Sequence, residues 1–105
     1  PLRSFMSAPL TSNQKRYLRG LAHPLKPVIL VGAKGVTEAL LAELDLALDH
    51  HELVKVRIAA EDRDARDAGI AILIERSGAQ LVQRVGNIAC LFRRNPEAPQ
   101  VPLPR

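Results

Sequence analysis

Residues 27–37, PVILVGAKGVT, decide the fold. An apolar, largely β-branched run follows Pro27 and ends at Gly32, which predicts a strand buried on both faces or nearly so. Gly32 and Gly35 then enclose a short loop, and Thr37 is a good N-cap for a helix. The stretch therefore predicts a strand, a tight glycine loop and a helix in direct succession.

Periodicity predicts the remaining elements on either side of this stretch. Thr11 and Gln14 match a capping box before a first helix over 12–22, with Leu18, Leu21 and Tyr17 directed inward. The further predicted elements are helices over 38–50 and 61–76, an alternating strand over 53–58, and strands over 81–85 and 88–92 joined by a two-residue turn. The order α-β-α-β-α-β-β favours an α+β two-layer sandwich with a mixed four-stranded sheet.

The domain occupies residues 11–94 of a 105-residue chain, which has room for one compact unit. We expect residues 1–10 to be a flexible segment and the proline-rich residues 95–105 to be an extended tail. Residues 1–5 precede the only methionine, Met6, as an expression tag or a misplaced start would, and they are excluded from functional reasoning.

Composition limits the class of protein. The chain is 47% hydrophobic and 25% charged, and no apolar run approaches the roughly 20 residues that span a bilayer. It begins without a recognisable signal peptide, and the single Cys90 cannot form an internal disulfide. We therefore expect a cytoplasmic monomer with no membrane partner.

The net charge of +4 is unevenly distributed along the sequence. Residues 1–35 hold six basic residues and no acid (+6), and residues 36–75 hold ten acids and four basic residues (−6). From residue 76 onward there are five arginines and one acid (+4). Basic charge at the two ends of the chain favours a polyanionic partner.

The glycine loop is the strongest candidate for binding such a partner. A Gly-x-x-Gly between a strand and a helix N-terminus lets another backbone approach closely, and the helix amides favour phosphate. Basic residues at Lys34, at Lys26 and on the first helix at Lys15, Arg16 and Arg19 form a backbone-binding patch if they share one surface. The alternative is a tight turn with no ligand.

Other polar residues carry weaker indications. His23 either contacts phosphate or simply ends the first helix, and Tyr17 either stacks on a base or is partly buried on a helix face. Cys90 lies in an apolar alternation that is typical of a buried side chain, and the acids of residues 61–64 suit a helix N-terminus better than a metal. We expect no metal, no cofactor and no enzyme activity.

Aromatic residues are scarce, and only Tyr17 and Phe92 lie within the predicted domain. A sheet that stacks successive bases normally needs several aromatic side chains. The composition therefore favours folded RNA that is recognised through its shape and its phosphates.

Three segments resemble one known family. They are RGLAHPLKPVILVGAKGVT after Leu18, LDHHELVKV at 48–56 and IAAEDR at 58–63, followed by the closing strand with Phe92-Arg93. Together they are similar to the CRM domain in its bacterial single-domain form, the YhbY-type proteins, over residues 11–94.

The resemblance implies a fold similar to the C-terminal domain of bacterial translation initiation factor three. It also implies association with precursors of the large ribosomal subunit, while related plant domains act in chloroplast intron splicing. The family's RNA-contacting loop corresponds to Gly32, Ala33, Lys34 and Gly35, supported by the basic first helix. Ala33 replaces a small polar residue and removes a side-chain hydrogen bond to phosphate.

Two hypotheses follow from the sequence. The first is a non-catalytic RNA-binding factor that acts on ribosomal RNA in large-subunit assembly. The second is a ribosome-associated adaptor whose acidic second and third helices dock a basic ribosomal protein. A small hydrolase would rest only on scattered histidines and acids.

Overall fold

A computed structural model of the chain describes residues 9–60, 62–95, 101 and 103. The elements are α1 (Ser12–Ala22), β1 (Ile29–Val31), α2 (Glu38–His51), β2 (Leu53–Ile58), α3 (Arg63–Ser77), β3 (Gln80–Val85) and β4 (Ile88–Phe92). This is the predicted order of helices and strands. Within the described ranges, no helix is long and apolar enough to cross a bilayer.

The four strands form one mixed sheet in the order β1-β2-β4-β3. β1 and β2 are parallel, with Ile29 opposite Val56, and both other pairs are antiparallel. The turn at residues 86–87 joins β3 to β4, and Gly86 supplies its positive φ of 58°. The α+β class and the mixed four-stranded sheet are therefore confirmed.

Local sequence signals place the helix ends. At α1 the Gln14 backbone N–H donates to Thr11 Oγ1 at 3.1 Å, and the Thr11 N–H donates to Gln14 Oε1 at 3.0 Å, which completes the capping box. The Asp62 side chain caps α3, and Gly78 ends it with a φ of 75°. Asp62 and Asp64 thus serve the helix start, and Glu61 lies outside the described residues.

Helices α2 and α3 cover one face of the sheet. From α2, the buried side chains of Leu44 and Leu48 pack on this face, and Leu73 joins them from α3. β2 contributes Val54 and Val56, which have 2% and 0% exposure. This layer contains the larger of the two hydrophobic clusters.

Helix α1 packs on the opposite face of the sheet. Its buried residues Leu18 and Ala22 contact a second cluster that contains Leu53, Cys90 and Phe92. The predicted two layers are thus the sheet and the α2–α3 layer, and α1 adds partial cover on the other side. The predicted inward position of Leu21 and Tyr17 is wrong: they are 39% and 38% exposed, because the buried stripe of α1 runs through Leu18 and Ala22 instead.

Strand β1 lies at the edge of the sheet. Ile29 and Val31 are buried against the α2–α3 layer, whereas Val28 and Leu30 are 56% and 61% exposed. The prediction that this strand is buried on both faces is therefore wrong. Its outward side chains stay uncovered because α1 packs on β2 and β3 and leaves the far part of β1 open.

Two buried charged residues, Arg93 and Glu52, hydrogen-bond to parts of the chain that are distant in sequence. The Arg93 guanidinium donates to Asp45 Oδ1 at 2.7 Å, to Asp49 Oδ1 at 2.8 Å and to the Ser77 carbonyl at 2.8 Å. Glu52 is fully buried at a φ of 61°, and its carboxylate accepts backbone N–H groups. Arg93 thereby links β4 to both helices of the α2–α3 layer.

Parts of both terminal segments lie against the domain. The Val101 N–H donates to Glu52 Oε1 at 2.6 Å, and Val101 and Leu103 pack on the α1-side cluster. At the other end, the Leu10 N–H donates to Gln80 Oε1 at 2.8 Å. The remaining residues of the expected flexible segment and tail, 1–8, 96–100, 102, 104 and 105, lie outside the described residues.

Candidate nucleic-acid interface

The glycine loop forms a tight, open turn between β1 and α2. The Gly35 N–H donates to the Gly32 carbonyl at 3.0 Å, and Gly35 has a φ of 74°, a conformation that favours glycine. A Cβ atom built at either glycine meets no heavy atom within 4 Å. The space over the loop is therefore open to another backbone, with Ala33 and Lys34 exposed beside it.

Helix α2 begins directly behind the loop. Thr37 caps it, because its Oγ1 accepts the Leu40 N–H at 3.1 Å. The loop and the first two turns of α2 line a shallow depression whose rim includes Glu43. Partial positive charge at the helix start favours an anion there, whereas the Glu43 carboxylate opposes one.

The cations of α1 lie on the side of the helix that points away from the core. Arg16 and Arg19 are exposed and Lys15 is partly buried. Among the described residues, no ion pair joins any of the three to a carboxylate. Their charge is available to an external anion.

His23 and Lys26 follow at the end of α1. The His23 backbone N–H donates to the Arg19 carbonyl at 3.1 Å, which makes His23 the C-cap of the helix, and its side chain is exposed. Lys26 is exposed in the segment that leads to β1. Lys55 holds this segment against β2, because its Nζ donates to the Leu25 carbonyl at 3.0 Å and to the His23 carbonyl at 3.4 Å.

The candidate residues fall into two groups at opposite ends of β1. Lys26 precedes the strand in the segment that follows α1, whereas Lys34 follows the strand in the glycine loop. Gly32 is six positions after Lys26, which corresponds to about 20 Å of extended chain. The predicted residues therefore do not form one compact patch around the loop.

Arg57 lies between these two groups and was not among the predicted site residues. It is exposed in β2, directly opposite Leu30 of β1. In the sequence, Lys55 and Arg57 alternate with Val54, Val56 and Ile58, which places the two cations on the other face of the strand. The sequence could not show which residues of the other strands lie beside Arg57.

Acidic residues are concentrated on the other side of the sheet. The described acids of the α2–α3 layer are Glu38, Glu43, Asp45, Asp49, Asp62, Asp64, Asp67 and Glu75. Several pair with arginines: Arg76 with Glu38 at 2.8 Å, and Arg84 with Asp67 at 3.8 Å. The domain is therefore polarised, with a basic α1 side and an acidic α2–α3 side.

Cys90 lies beneath α1 and is 4% exposed. Burial raises the pKa of its thiol from 9.0 to about 11, an effect that the nearby Lys55 charge partly offsets. Because the thiolate is the reactive form, Cys90 is a buried packing residue, as predicted. Within the described part of the chain, no group of three or more His, Cys, Asp or Glu residues is arranged to hold a metal ion.

Comparisons with known proteins agree on one family. The sequence profile of the CRS1 / YhbY (CRM) domain matches residues 10–93. A Haemophilus influenzae protein named as an RNA-binding protein is 44% identical over 96 residues, which cover 91% of this chain and 96% of that relative. YqeI of Bacillus subtilis, named as a probable RNA-binding protein, is 36% identical over 90% of this chain and 99% of its own length.

A solved structure has the same fold. The solution structure of the Staphylococcus aureus protein SAV1595, for which RNA binding is proposed, superposes with a TM-score of 0.78 at 34% sequence identity. The alignment covers 90% of this chain and 99% of that protein. From the profile match and these relatives, we conclude that the chain belongs to the CRS1/YhbY (CRM) domain family.

Proposed function

We propose that this protein binds structured RNA, and specifically ribosomal RNA in precursors of the large ribosomal subunit, without catalysing a reaction on it. The glycine loop, residues 32–35, holds the RNA backbone, and the cations of α1 extend the contact. Relatives named as RNA-binding proteins support the RNA class. The large-subunit assignment rests on the family resemblance of the sequence.

The observation that carries the proposal is the separation of charge across the sheet. α1 contains Lys15, Arg16 and Arg19 and no acid, whereas α2 and α3 carry most of the described acids. RNA phosphates repel carboxylates. They attract lysine and arginine side chains, which displace the counterions condensed on the RNA and so favour binding. RNA is therefore attracted to the α1 side and repelled from the outer surface of α2 and α3.

The loop adds close approach to this attraction. Open space over Gly32 and Gly35 lets a phosphate reach the backbone amides, which larger side chains would prevent. The exposed Lys34 supplies a charge-assisted contact within the same turn. Binding through phosphates predicts an affinity that falls steeply with salt concentration.

The loop is tested by Gly32→Asp combined with Gly35→Asp. Two carboxylates would fill the open space and repel phosphate, so we expect loss of measurable affinity for large-subunit ribosomal RNA transcribed in vitro. Ala42→Asp combined with Ala68→Asp is the matched control, because both alanines are exposed on the α2–α3 layer and the net charge changes equally.

Circular dichroism and thermal unfolding verify that both double variants are folded. The control variant should bind RNA within about twofold of the wild type, since its carboxylates lie on the far side of the sheet. Equal loss in both variants would mean that only net charge matters, and intact affinity in the loop variant would refute the role of the loop.

The adaptor function remains a second candidate because the acidic side of the domain is well exposed. Glu43, Asp64 and Glu75 all face solvent and could dock a basic ribosomal protein. Neutralising Lys15, Arg16, Arg19 and Lys34 separates the two functions. RNA binding predicts loss of co-sedimentation with ribosomal particles, whereas an adaptor would still co-sediment.

A further inference from the structure

Among the described residues, no helix covers the part of the sheet beyond α1 on the α1 side. Four side chains lie there in register across the strands: Leu30 pairs with Arg57, Arg57 with Ile88, and Ile88 with Val85. Leu30 and Val85 are each 61% exposed, Arg57 is exposed and Ile88 is partly buried. We call these four residues the open row.

The open row points away from the α2–α3 layer. Its neighbours along the strands, Val31, Val56 and Ala89, are buried in the cluster beneath α2 and α3. Because side chains alternate along a strand, the row faces the same side of the sheet as α1. With strands about 4.8 Å apart, the row is about 14 Å long.

The open row lies between the two groups of candidate residues. Leu30 is two residues before Gly32, so the row ends beside the glycine loop. Arg57 is two residues beyond Lys55, whose Nζ contacts the segment after α1. The row therefore offers a path to a ligand that contacts both α1 and the loop.

Lys15 and Arg19 of α1 lie on the flank of the helix opposite Leu21. Leu21 lines a cavity with His51, Leu53 and Val101, at the end of the sheet where β2 begins. At about 100° per residue, Lys15 and Arg19 lie on the other flank of the buried stripe through Leu18 and Ala22. Because α1 packs on this face of the sheet, both cations lie on the same side of the sheet as the open row.

Charge on this face suits an anionic ligand. None of the four strands contains an acidic residue, and their cations are Lys55, Arg57 and Arg84. Arg84 pairs with Asp67 of α3, whereas no ion pair involves Arg57 among the described residues. Arg57 is thus a cation between the exposed Leu30 and the partly buried Ile88.

We propose that the bound RNA crosses the open row on its path from α1 to the glycine loop. Arg57 contacts a phosphate, and Leu30, Ile88 and Val85 pack against ribose and base edges. This inference rests on the proposed RNA binding and adds a third contact surface that joins the other two. An aliphatic row suits folded RNA, because Phe92, the one aromatic residue of the four strands, is buried and the strands offer no ring that stacks single-stranded bases.

The test compares two leucines of equal exposure on opposite sides of the domain. Leu30 is 61% exposed and Leu46, on α2, is 60% exposed. We expect Leu30→Glu to weaken binding of a fluorescein-labelled hairpin from large-subunit ribosomal RNA roughly tenfold, because it places a carboxylate against phosphates. Leu46→Glu should change the dissociation constant less than about twofold.

A second substitution separates contact with RNA from damage to the fold. Leu30→Lys should strengthen binding where Leu30→Glu weakens it, since structural damage would weaken binding in both variants. Arg57→Ala should lower the slope of log affinity against log salt by about one, whereas Arg63→Ala on α3 should leave it unchanged.

The outcomes distinguish this inference from the proposed function. Suppose that wild-type protein binds the hairpin and that the double loop variant does not. Equal effects of Leu30→Glu and Leu46→Glu would then refute a path across the open row and leave RNA binding by the loop intact. Failure of the wild type to bind the hairpin at low salt would refute both.

Discussion

The two faces of the sheet differ in how they are covered and in where their charges go. On the α2–α3 face, two helices bury the larger hydrophobic cluster, and the arginines near it are paired with carboxylates. On the α1 face, one helix covers part of the strands, and the cations of α1 and β2 have no carboxylate partner among the described residues. The first face stabilises the domain, and the second is available to an anion.

This difference separates residues that determine stability from residues that determine binding. Arg93 is an example of the residues that determine stability, and Arg57 is an example of those that determine binding. The Arg93 side chain is 8% exposed and joins α2 to the end of α3, whereas Arg57 is exposed on the open row. Substitution of each should therefore change a different measured quantity.

Arg93→Ala should have the largest effect on folding. It leaves Asp45, Asp49 and the Ser77 carbonyl without this donor, and we expect the free energy of unfolding to fall by roughly 2–3 kcal/mol, allowing for the partial exposure of the two carboxylates. Urea denaturation followed by circular dichroism measures it. Arg57→Ala, the control, should change it by less than about 0.5 kcal/mol.

A comparable loss of stability in the two variants would contradict this division. Affinity for RNA should show the opposite pattern when it is measured under conditions in which both variants are folded. Arg93→Ala should then retain wild-type affinity, and Arg57→Ala should not.

Neutralising the α1 cations should have the next largest effect. Lys15→Gln, Arg16→Gln and Arg19→Gln together remove three phosphate contacts, so we expect affinity for ribosomal RNA to fall roughly 10- to 100-fold, with a smaller salt slope. Glutamine is a good helix former, and α1 should remain folded. Fluorescence anisotropy across a salt series measures both quantities.

The control for this prediction changes net charge equally on the other face. Ala42→Asp, Ala68→Asp and Ala71→Asp add three carboxylates at exposed positions of α2 and α3. Affinity should change little, because these positions lie beyond the sheet and are screened by salt. A similar loss in both triple variants would mean that the domain has no preferred face.

The smallest predicted effect concerns Glu43, an acid that lines the depression at the glycine loop. Its carboxylate repels phosphate there, so Glu43→Gln should strengthen RNA binding by roughly twofold. Glu75→Gln, at an exposed position on α3, should leave affinity unchanged. Equal gains from both substitutions would indicate a general charge effect and no phosphate near Glu43.

Local signals predicted most of the fold. The capping box at Thr11 and Gln14 and the N-cap Thr37 depend on residues only a few positions apart, and the sequence predicted each of them. The hairpin turn at Gly86 is equally local. Element order and the mixed sheet followed from these signals and from periodicity.

Features that depend on tertiary packing were not predictable in the same way. A continuous apolar run indicated a buried strand at residues 28–31, yet Leu30 is exposed because β1 is an edge strand that α1 does not cover. Nothing in the sequence near Glu52 indicated its positive φ or its contact with Val101.

The candidate site shows the same division between local and tertiary information. Gly32, Lys34 and Gly35 lie together because they are neighbours in sequence, and the structure describes them as an open turn. Arg57 was not identified, since its relation to Leu30 and Ile88 exists only through strand pairing. Residues brought together by the sheet required the three-dimensional structure.

The central claim is that RNA lies on the α1 side of the sheet. Titration of the ¹⁵N-labelled protein with the ribosomal RNA hairpin, followed by backbone amide chemical shifts, tests it most directly. We predict the largest shifts in α1, at residues 32–35 and at Leu30 and Arg57, with little change at Leu46, Asp64 and Glu75. Shifts concentrated on the outer surface of α2 and α3 would contradict the claim.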